Sequence, residues 1–205
     1  MAFEYACFIS YRHGYEPGVQ RFYESFRSEL AVQVELYLPG MRVYLDTNRL
    51  HGGDFFNNEL ALALCNSVCM ISLFNPHYFD VENTYTAREY CAMVNLEQHR
   101  LPLLPPPDRK GLIIPIIIRG TLPEEIKNER QYYTLDLLAP GDLKKQKSRE
   151  ALRRVAEDIY YRYEAFRVAK EDPSTLCDGF DFPSESDVMD WLTGITAPPL
   201  KMPWR

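Results

Sequence analysis

Positive charge is scarce in this chain. Lysine and arginine number 23 against 29 aspartates and glutamates, a net charge of −6, so neither nucleic acid nor an acidic membrane is an obvious partner. Long hydrophobic runs are also missing. Stretches such as Ile113-Ile-Pro-Ile-Ile-Ile118 fall far short of the roughly 20 apolar residues that a membrane-spanning helix needs. The N-terminus has neither the basic start nor the apolar core of a signal peptide, so a cytoplasmic location is expected. Histidine is limited to His13, His51, His77 and His99, scattered one per loop or helix end, and no metal site is expected. The five cysteines, Cys7, Cys65, Cys69, Cys91 and Cys177, are odd in number. Cys65 and Cys69 do not match a zinc spacing. Reduced, buried thiols are the expectation. There is no internal repeat and no charged low-complexity block.

What the chain does have is length and aromatic content. At 205 residues and 46% hydrophobic it is long enough to bury a sizeable core without staples. Its 14 tyrosines and 11 phenylalanines suit aromatic packing, or a surface that binds something flat.

Apolar runs alternate with helical periodicities along the chain. Tyr5–Ser10 reads as a buried strand that runs into the polar Tyr11-Arg-His-Gly14. Phe22, Phe26, Leu30 and Val34 recur at helical spacing, with Pro17 near the first turn and Pro39-Gly40 as the stop. Met41–Leu45 is a second strand, and Asp46–Gly53 a loop freed by two glycines. Asp54 then caps a helix with Phe56, Leu60, Ala63 and Leu64 on one face.

Val68–Phe74 is the third strand, and Thr86 to about His99 the third helix. Leu101–Pro107 is a stiff proline-rich connection. Leu112–Ile118 is the fourth strand, where Pro115 argues for an edge position or a bulge. Gln131–Leu135 is a weak fifth strand. Ser148 caps a long helix with Leu152, Val155, Ile159, Tyr163 and Phe166 as its stripe. Beyond about residue 171 the composition shifts to Pro, Ser, Asp and Gly. Within that stretch Asp187–Leu192 can form a turn of helix, and Ala197–Arg205 looks extended.

Strands alternating with helices, each strand a near-continuous apolar run, indicate a parallel sheet covered on both faces. Five strands suit an α/β, flavodoxin-like three-layer sandwich with strand order 2-1-3-4-5. In that order ligands bind at the carboxyl ends between strands one and three, where the winding reverses. The crevice would be walled by the loops after Ser10 and after Phe74, and Glu89 falls beside it. Thr86-Ala-Arg-Glu89 is also a capping-box pattern, in which the carboxylate would bond its own helix end.

Four short motifs carry a resemblance. Phe8-Ile-Ser-Tyr-Arg12 resembles the first box of TIR (Toll/interleukin-1 receptor) domains. Val43-Tyr-Leu-Asp46 with Leu50-His-Gly-Gly53 is similar to their second box and BB loop. Leu73-Phe-Asn-Pro-His-Tyr78 resembles the end of their third strand. Tyr85-Thr-Ala-Arg-Glu89 stands where they carry tryptophan, three residues, then glutamate. Tyr85 replaces that tryptophan, and Asn75 replaces a usual serine. The resemblance covers about residues 1–170 and leaves 171–205 as a C-terminal extension.

What the resemblance implies is an NAD+ nucleosidase that cleaves the nicotinamide–ribose bond and releases ADP-ribose or a cyclic isomer. It further implies a bacterial-type immune or antiphage effector, active as a dimer or filament, with NAD+ or NADP+ as substrate rather than cofactor. Glu89 would be catalytic. Ser10, Tyr11, Arg12, Asp46 and Tyr85 would bind substrate, and Arg49, Leu50, His51, Gly52 and Gly53 would serve the BB loop and self-association. Arg12 can pair with a pyrophosphate or simply face solvent, and Asp46 can reach a ribose or brace the BB loop. Tyr85 can stack on a ligand ring or pin its loop. Two other readings are a non-catalytic TIR adaptor that signals through the BB loop, and a nucleotide sensor that binds without cleaving.

Overall fold

The computed structural model describes residues 3–14, 16–46, 54–135, 140–170 and 177–196. Its strands are β1 (Tyr5–Tyr11), β2 (Arg42–Leu45), β3 (Ser67–Phe74), β4 (Ile113–Ile117) and β5 (Tyr133–Thr134). They form one five-stranded sheet in the order β2-β1-β3-β4-β5, with every pairing parallel. The helices are α1 (Pro17–Tyr37), α2 (Asp54–Cys65), α3 (Tyr85–Arg100), α4 (Glu124–Glu129), α5 (Gln146–Ala169) and α6 (Glu185–Thr196). This is the expected α/β flavodoxin-like sandwich. Among the described residues no helix is long and apolar enough to cross a membrane.

The sheet is covered on both faces because its strands are apolar on both. All eight residues of β3 are buried, as befits a central parallel strand. Side chains alternate between the faces. Tyr11 on β1 packs its ring on Tyr23 of α1, and Cys69 on β3 feels the charges of Arg162 and Asp158 on α5. The neighbours Ser10 and Phe74 turn the other way, towards Glu89 on α3 and towards Tyr78. The α1 stripe is Tyr23, Phe26, Leu30 and Val34, with Phe22 only half-buried. Pro17 opens α1, where its missing N–H costs nothing. Gly40 takes φ +81° in the turn to β2, a conformation that suits glycine.

Three expectations need correction. Pro115 lies within the unbroken register of β3 with β4, opposite Ser72, on an interior strand and without a bulge. The Leu112 carbonyl accepts from the Met70 amide of β3, and the Ile118 amide donates to the Phe74 carbonyl of β3. By alternation the amide that Pro115 lacks faces β5, and β5 pairs only from Ile116 onward. The proline therefore costs the sheet no ladder bond. Secondly, the α5 cap is Lys145, so Ser148 lies inside the first turn. Thirdly, the cysteines are not all reduced. Cys65 and Cys177 form a disulfide, while Cys7, Cys69 and Cys91 are free. Odd number and apolar flanks gave no hint that residues 112 apart in sequence meet in space.

That disulfide belongs to a C-terminal segment that packs on the domain. Val188 and Leu192 of α6 are buried against Ala87 of α3. Trp191 stacks on Tyr90 at 5.4 Å and meets Phe79 edge-on at 5.2 Å. Arg88 Nε donates to the Pro183 carbonyl at 2.6 Å. Ser184 and Asp187 exchange hydrogen bonds with each other's backbone amides, a reciprocal cap that starts α6.

The far end of α3 is fixed by a polar network. Glu97 Oε1 and Oε2 each accept from Arg130 at 2.7 Å, a bidentate pair. Glu97 also takes the backbone amides of Leu112 and Ile113. Arg130 Nε donates to the Tyr90 hydroxyl at 2.9 Å. Gly111 leaves room for this, since a Cβ there would stand 3.1 Å from both Arg130 Nη1 and Glu97 Oε1.

Candidate active site

The carboxyl ends of β1 and β3 meet the N-terminal half of α3, and the candidate residues divide there by strand alternation. Ser10 faces α3. Its hydroxyl donates to Glu89 Oε2 at 2.6 Å and lies 2.6 Å from the Tyr78 hydroxyl. A serine hydroxyl has one proton. With that proton on Glu89, the second bond runs from Tyr78 to Ser10. The result is a directed chain, Tyr78 to Ser10 to Glu89, buried throughout.

Glu89 is 2% exposed. It sits on α3 because the loop from Asn75 to Thr84 turns the chain back over the sheet. Asn75 starts that turn, with its Oδ1 accepting from the His77 amide at 2.8 Å and its carbonyl from the Tyr78 amide at 3.0 Å. Thr86 then ties α3 to the loop by donating to the Tyr78 carbonyl. The capping-box reading of Glu89 is thereby corrected. α3 starts at Tyr85 with Thr84 as N-cap, so Glu89 stands fifth in the helix. The Thr86 hydroxyl is spent on Tyr78 rather than on a helix end.

Arg12 leaves β1 towards the second wall. Its Nη2 donates to Asp80 Oδ2 at 3.0 Å in a half-buried ion pair. Arg12 is thus partly exposed but paired, and it ties the loop after β1 to the loop after β3. Tyr11 is on the opposite face from Ser10, a correction to its expected place beside the substrate. Its ring stacks on His13 at 4.3 Å and meets Tyr23 at a tilt, 4.2 Å between centroids. Its hydroxyl donates to the Asp46 carbonyl at 2.6 Å, so both residues join the ends of β1 and β2. Asp46 is itself buried.

Tyr85, the first residue of α3, is 44% exposed, with the Arg88 guanidinium 5.9 Å above its ring. The BB-loop residues Arg49, Leu50, His51, Gly52 and Gly53 lie outside the described residues.

Ser10 and Glu89 are therefore brought together, Arg12 is held by Asp80, Tyr11 lies on the other face, and Asp46 meets Tyr11 through its backbone carbonyl. Two partners had no assigned role in the sequence reading. Tyr78 and Asp80 are each two residues apart, as are Ser10 and Arg12, and that matched spacing is the signal that could have paired them. Ser72, buried on β3 directly beside Ser10 in register, adds a third hydroxyl to the same face by alternation. A carboxylate among hydroxyls at strand ends can steady a developing positive charge or hold sugar hydroxyls. Among the described residues no group of three or more His, Cys, Asp or Glu could hold a metal. No family model, no curated protein and no solved structure matches this chain.

Proposed function

We propose that this chain is a TIR-type NAD+ nucleosidase in which Glu89 steadies the ribosyl cation as nicotinamide leaves. The observation that carries the reading is the position of Glu89, a carboxylate held by Ser10 at the reversal point between β1 and β3, where ligands of such sheets bind. Nicotinamide departs as a neutral molecule from a cationic ring, so no general acid is needed. Ordinary glycosidases need two carboxylates because their leaving oxygen must be protonated. One carboxylate suffices here.

Glu89 is 2% exposed, so substrate reaches it only when the crevice opens. The Arg12–Asp80 pair spans the two walls with 24% and 22% of its side chains exposed. Pairs of that kind are worth about 1 kcal/mol or less, a small barrier to opening. Assembly into a dimer or filament, in the cytoplasm, would supply the opening. Water or another ring of the dinucleotide then takes the ribosyl carbon, giving ADP-ribose or a cyclic isomer. NADP+ is the alternative substrate.

The same burial favours a second reading, a TIR adaptor in which Glu89 only braces β1 against α3. Incubation of concentrated protein with NAD+, following free nicotinamide by chromatography, separates the two. Release by wild type and its loss in Glu89→Gln is the expected result. Glutamine keeps an acceptor for Ser10, so melting curves of the two proteins should nearly coincide. No nicotinamide from assembled wild-type protein sinks the nucleosidase and leaves the adaptor.

A further inference from the structure

At the opposite end of α3 lies a cluster whose chemistry the nucleosidase reading leaves unused. Cys65 closes α2 and Arg100 closes α3. Cys65 is joined to Cys177, with Cα atoms 5.7 Å apart. Arg100 Nη2 lies 3.5 Å from the Cys65 sulfur and 3.9 Å from the Cys177 sulfur. The same guanidinium donates to the carbonyls of Cys65 and Ser67, and rests 5.3 Å over the Phe3 ring. It is fully buried. Burial pulls it down to about 10, which still leaves it charged at neutral pH.

We propose that Cys65–Cys177 is a redox-active pair, opened by a dithiol with Arg100 stabilising the departing thiolate, and that opening it unfastens residues 177–196 from α3. A disulfide that serves only as a staple gains nothing from a buried cation against its sulfurs. A cation beside a cysteine favours its thiolate, which makes it a better leaving group and favours the reduced pair.

The exposures set the order of attack. Cys177 is 5% exposed and Cys65 is 0%, so the reductant's thiolate meets Cys177 Sγ first. A new S–S bond forms there as the Cys65–Cys177 bond breaks. The electron pair leaves on Cys65 Sγ, which faces the nearer contact with Arg100. The second thiol of the reductant, deprotonated, then attacks the mixed disulfide and expels the Cys177 thiolate. The dithiol departs as a cyclic disulfide, having delivered two electrons, and its two protons end on the cysteines.

What the pair fastens is the outer cover of the helix that carries Glu89. Ala87, Arg88, Tyr90 and Cys91 of α3 pack against α6 and Pro183, and they flank Glu89 in sequence. Thr84, the N-cap of α3, donates to Glu185 at 3.3 Å. In a reducing compartment a disulfide of this type is transient and sensing rather than permanent. The inference does not depend on the nucleosidase reading, and its test involves no NAD+.

The test uses the full chain with Trp204→Phe, which leaves Trp191 as its one indole of two. The protein is equilibrated in graded ratios of reduced to oxidised dithiothreitol. New thiols are trapped with a maleimide and mapped by mass spectrometry, while Trp191 emission and circular dichroism are followed. Thiols should appear at Cys65 and Cys177 with a red shift of Trp191, while the helical signal of the sheet domain persists. Arg100→Met should need at least a tenfold higher ratio for half-opening, and Arg100→Lys, which keeps the charge, should stay near wild type. Opening only together with global unfolding of wild type overturns the proposal. So does an Arg100→Met that opens at the wild-type ratio. If Arg100→Met does not fold, the wild-type titration and Arg100→Lys still decide, because a wild-type pair that resists every ratio short of unfolding also overturns it.

Discussion

Replacing Glu97 by glutamine should be among the most damaging single changes in this protein. The Glu97–Arg130 side chains are only 10% and 12% exposed, so solvent screens them little. Breaking such a pair by removing one charge costs about 3–5 kcal/mol, because the other charge stays buried. Burial pulls the Arg130 guanidinium down, but its bonds to Glu97 raise it further, and the net displacement is upward. Urea unfolding of Glu97→Gln should therefore show an unchanged slope and a midpoint lowered by that free energy divided by the slope. Residue identity alone placed this network less well than the site. Glu89 was legible because a carboxylate after a strand-end loop is a recognisable pattern, yet its partner was not. Thr86 and Glu89 have the spacing of a capping box, and only the true helix start at Tyr85 rules that out. Tyr11 was placed beside the substrate by its motif, although strand alternation already turns it away from Ser10. Ser10 and Tyr78, 68 residues apart, are joined only by the fold.

At the scale of elements, α6 holds to α3 through a small apolar seam, so single truncations there should loosen it. Leu192 is fully buried, and Leu→Ala at such sites costs about 2–5 kcal/mol. Leu192→Ala should raise amide hydrogen exchange across α6 by a hundredfold or more and leave β3 amides unchanged. Equal acceleration in both would mean that α6 is integral to the core. The sheet itself was legible because β1, β3 and β4 are continuous apolar runs, a property that parallel burial requires. Pro115 misled because a sequence does not say which side of a strand an amide faces. β5 shrank to two residues, and α4, six residues long, was missed, being too short for helical periodicity to register. The start of α6 was readable after all. Ser184-Glu-Ser-Asp187 has the spacing of a reciprocal cap, and its bonds to Ser184 hold the Asp187 carboxyl below the usual carboxylate range.

For the whole molecule, aromatic burial makes high pH a denaturant. Burial pushes the Tyr90 hydroxyl up to about 12, with Arg130 pulling it partly back. Tyr133 is raised by burial and by its bond to Asp158, and Tyr23 is raised by burial. An unfolded tyrosine titrates near 10. Between about pH 10 and 12 the unfolded chain has thus lost protons that the folded chain keeps, so it binds fewer, and stability falls as pH rises. Each unit of upward displacement is worth about 1.4 kcal/mol. Burial raises the free thiols Cys7, Cys69 and Cys91 in the same sense, and an unfolded thiol titrates at about 8.5. Urea midpoints measured from pH 7 to 11 should therefore begin to fall at about 8.5 and steepen past about 10, and Tyr90→Phe should make only the steeper part shallower.

The strand order also decides where this chain is vulnerable to aggregation. Ser67-Val-Cys-Met-Ile-Ser-Leu-Phe74 is uncharged and free of proline and glycine, the kind of segment that stacks into cross-β fibrils when laid bare. In the native sheet it is paired on both sides by β1 and β4. The rims are β2 and β5, four and two residues long, which offer little template to a second chain. The most adhesive stretch of the protein is therefore kept at the greatest distance from any neighbour. It becomes available only to a molecule that has lost its sheet, so aggregation should follow unfolding rather than precede it.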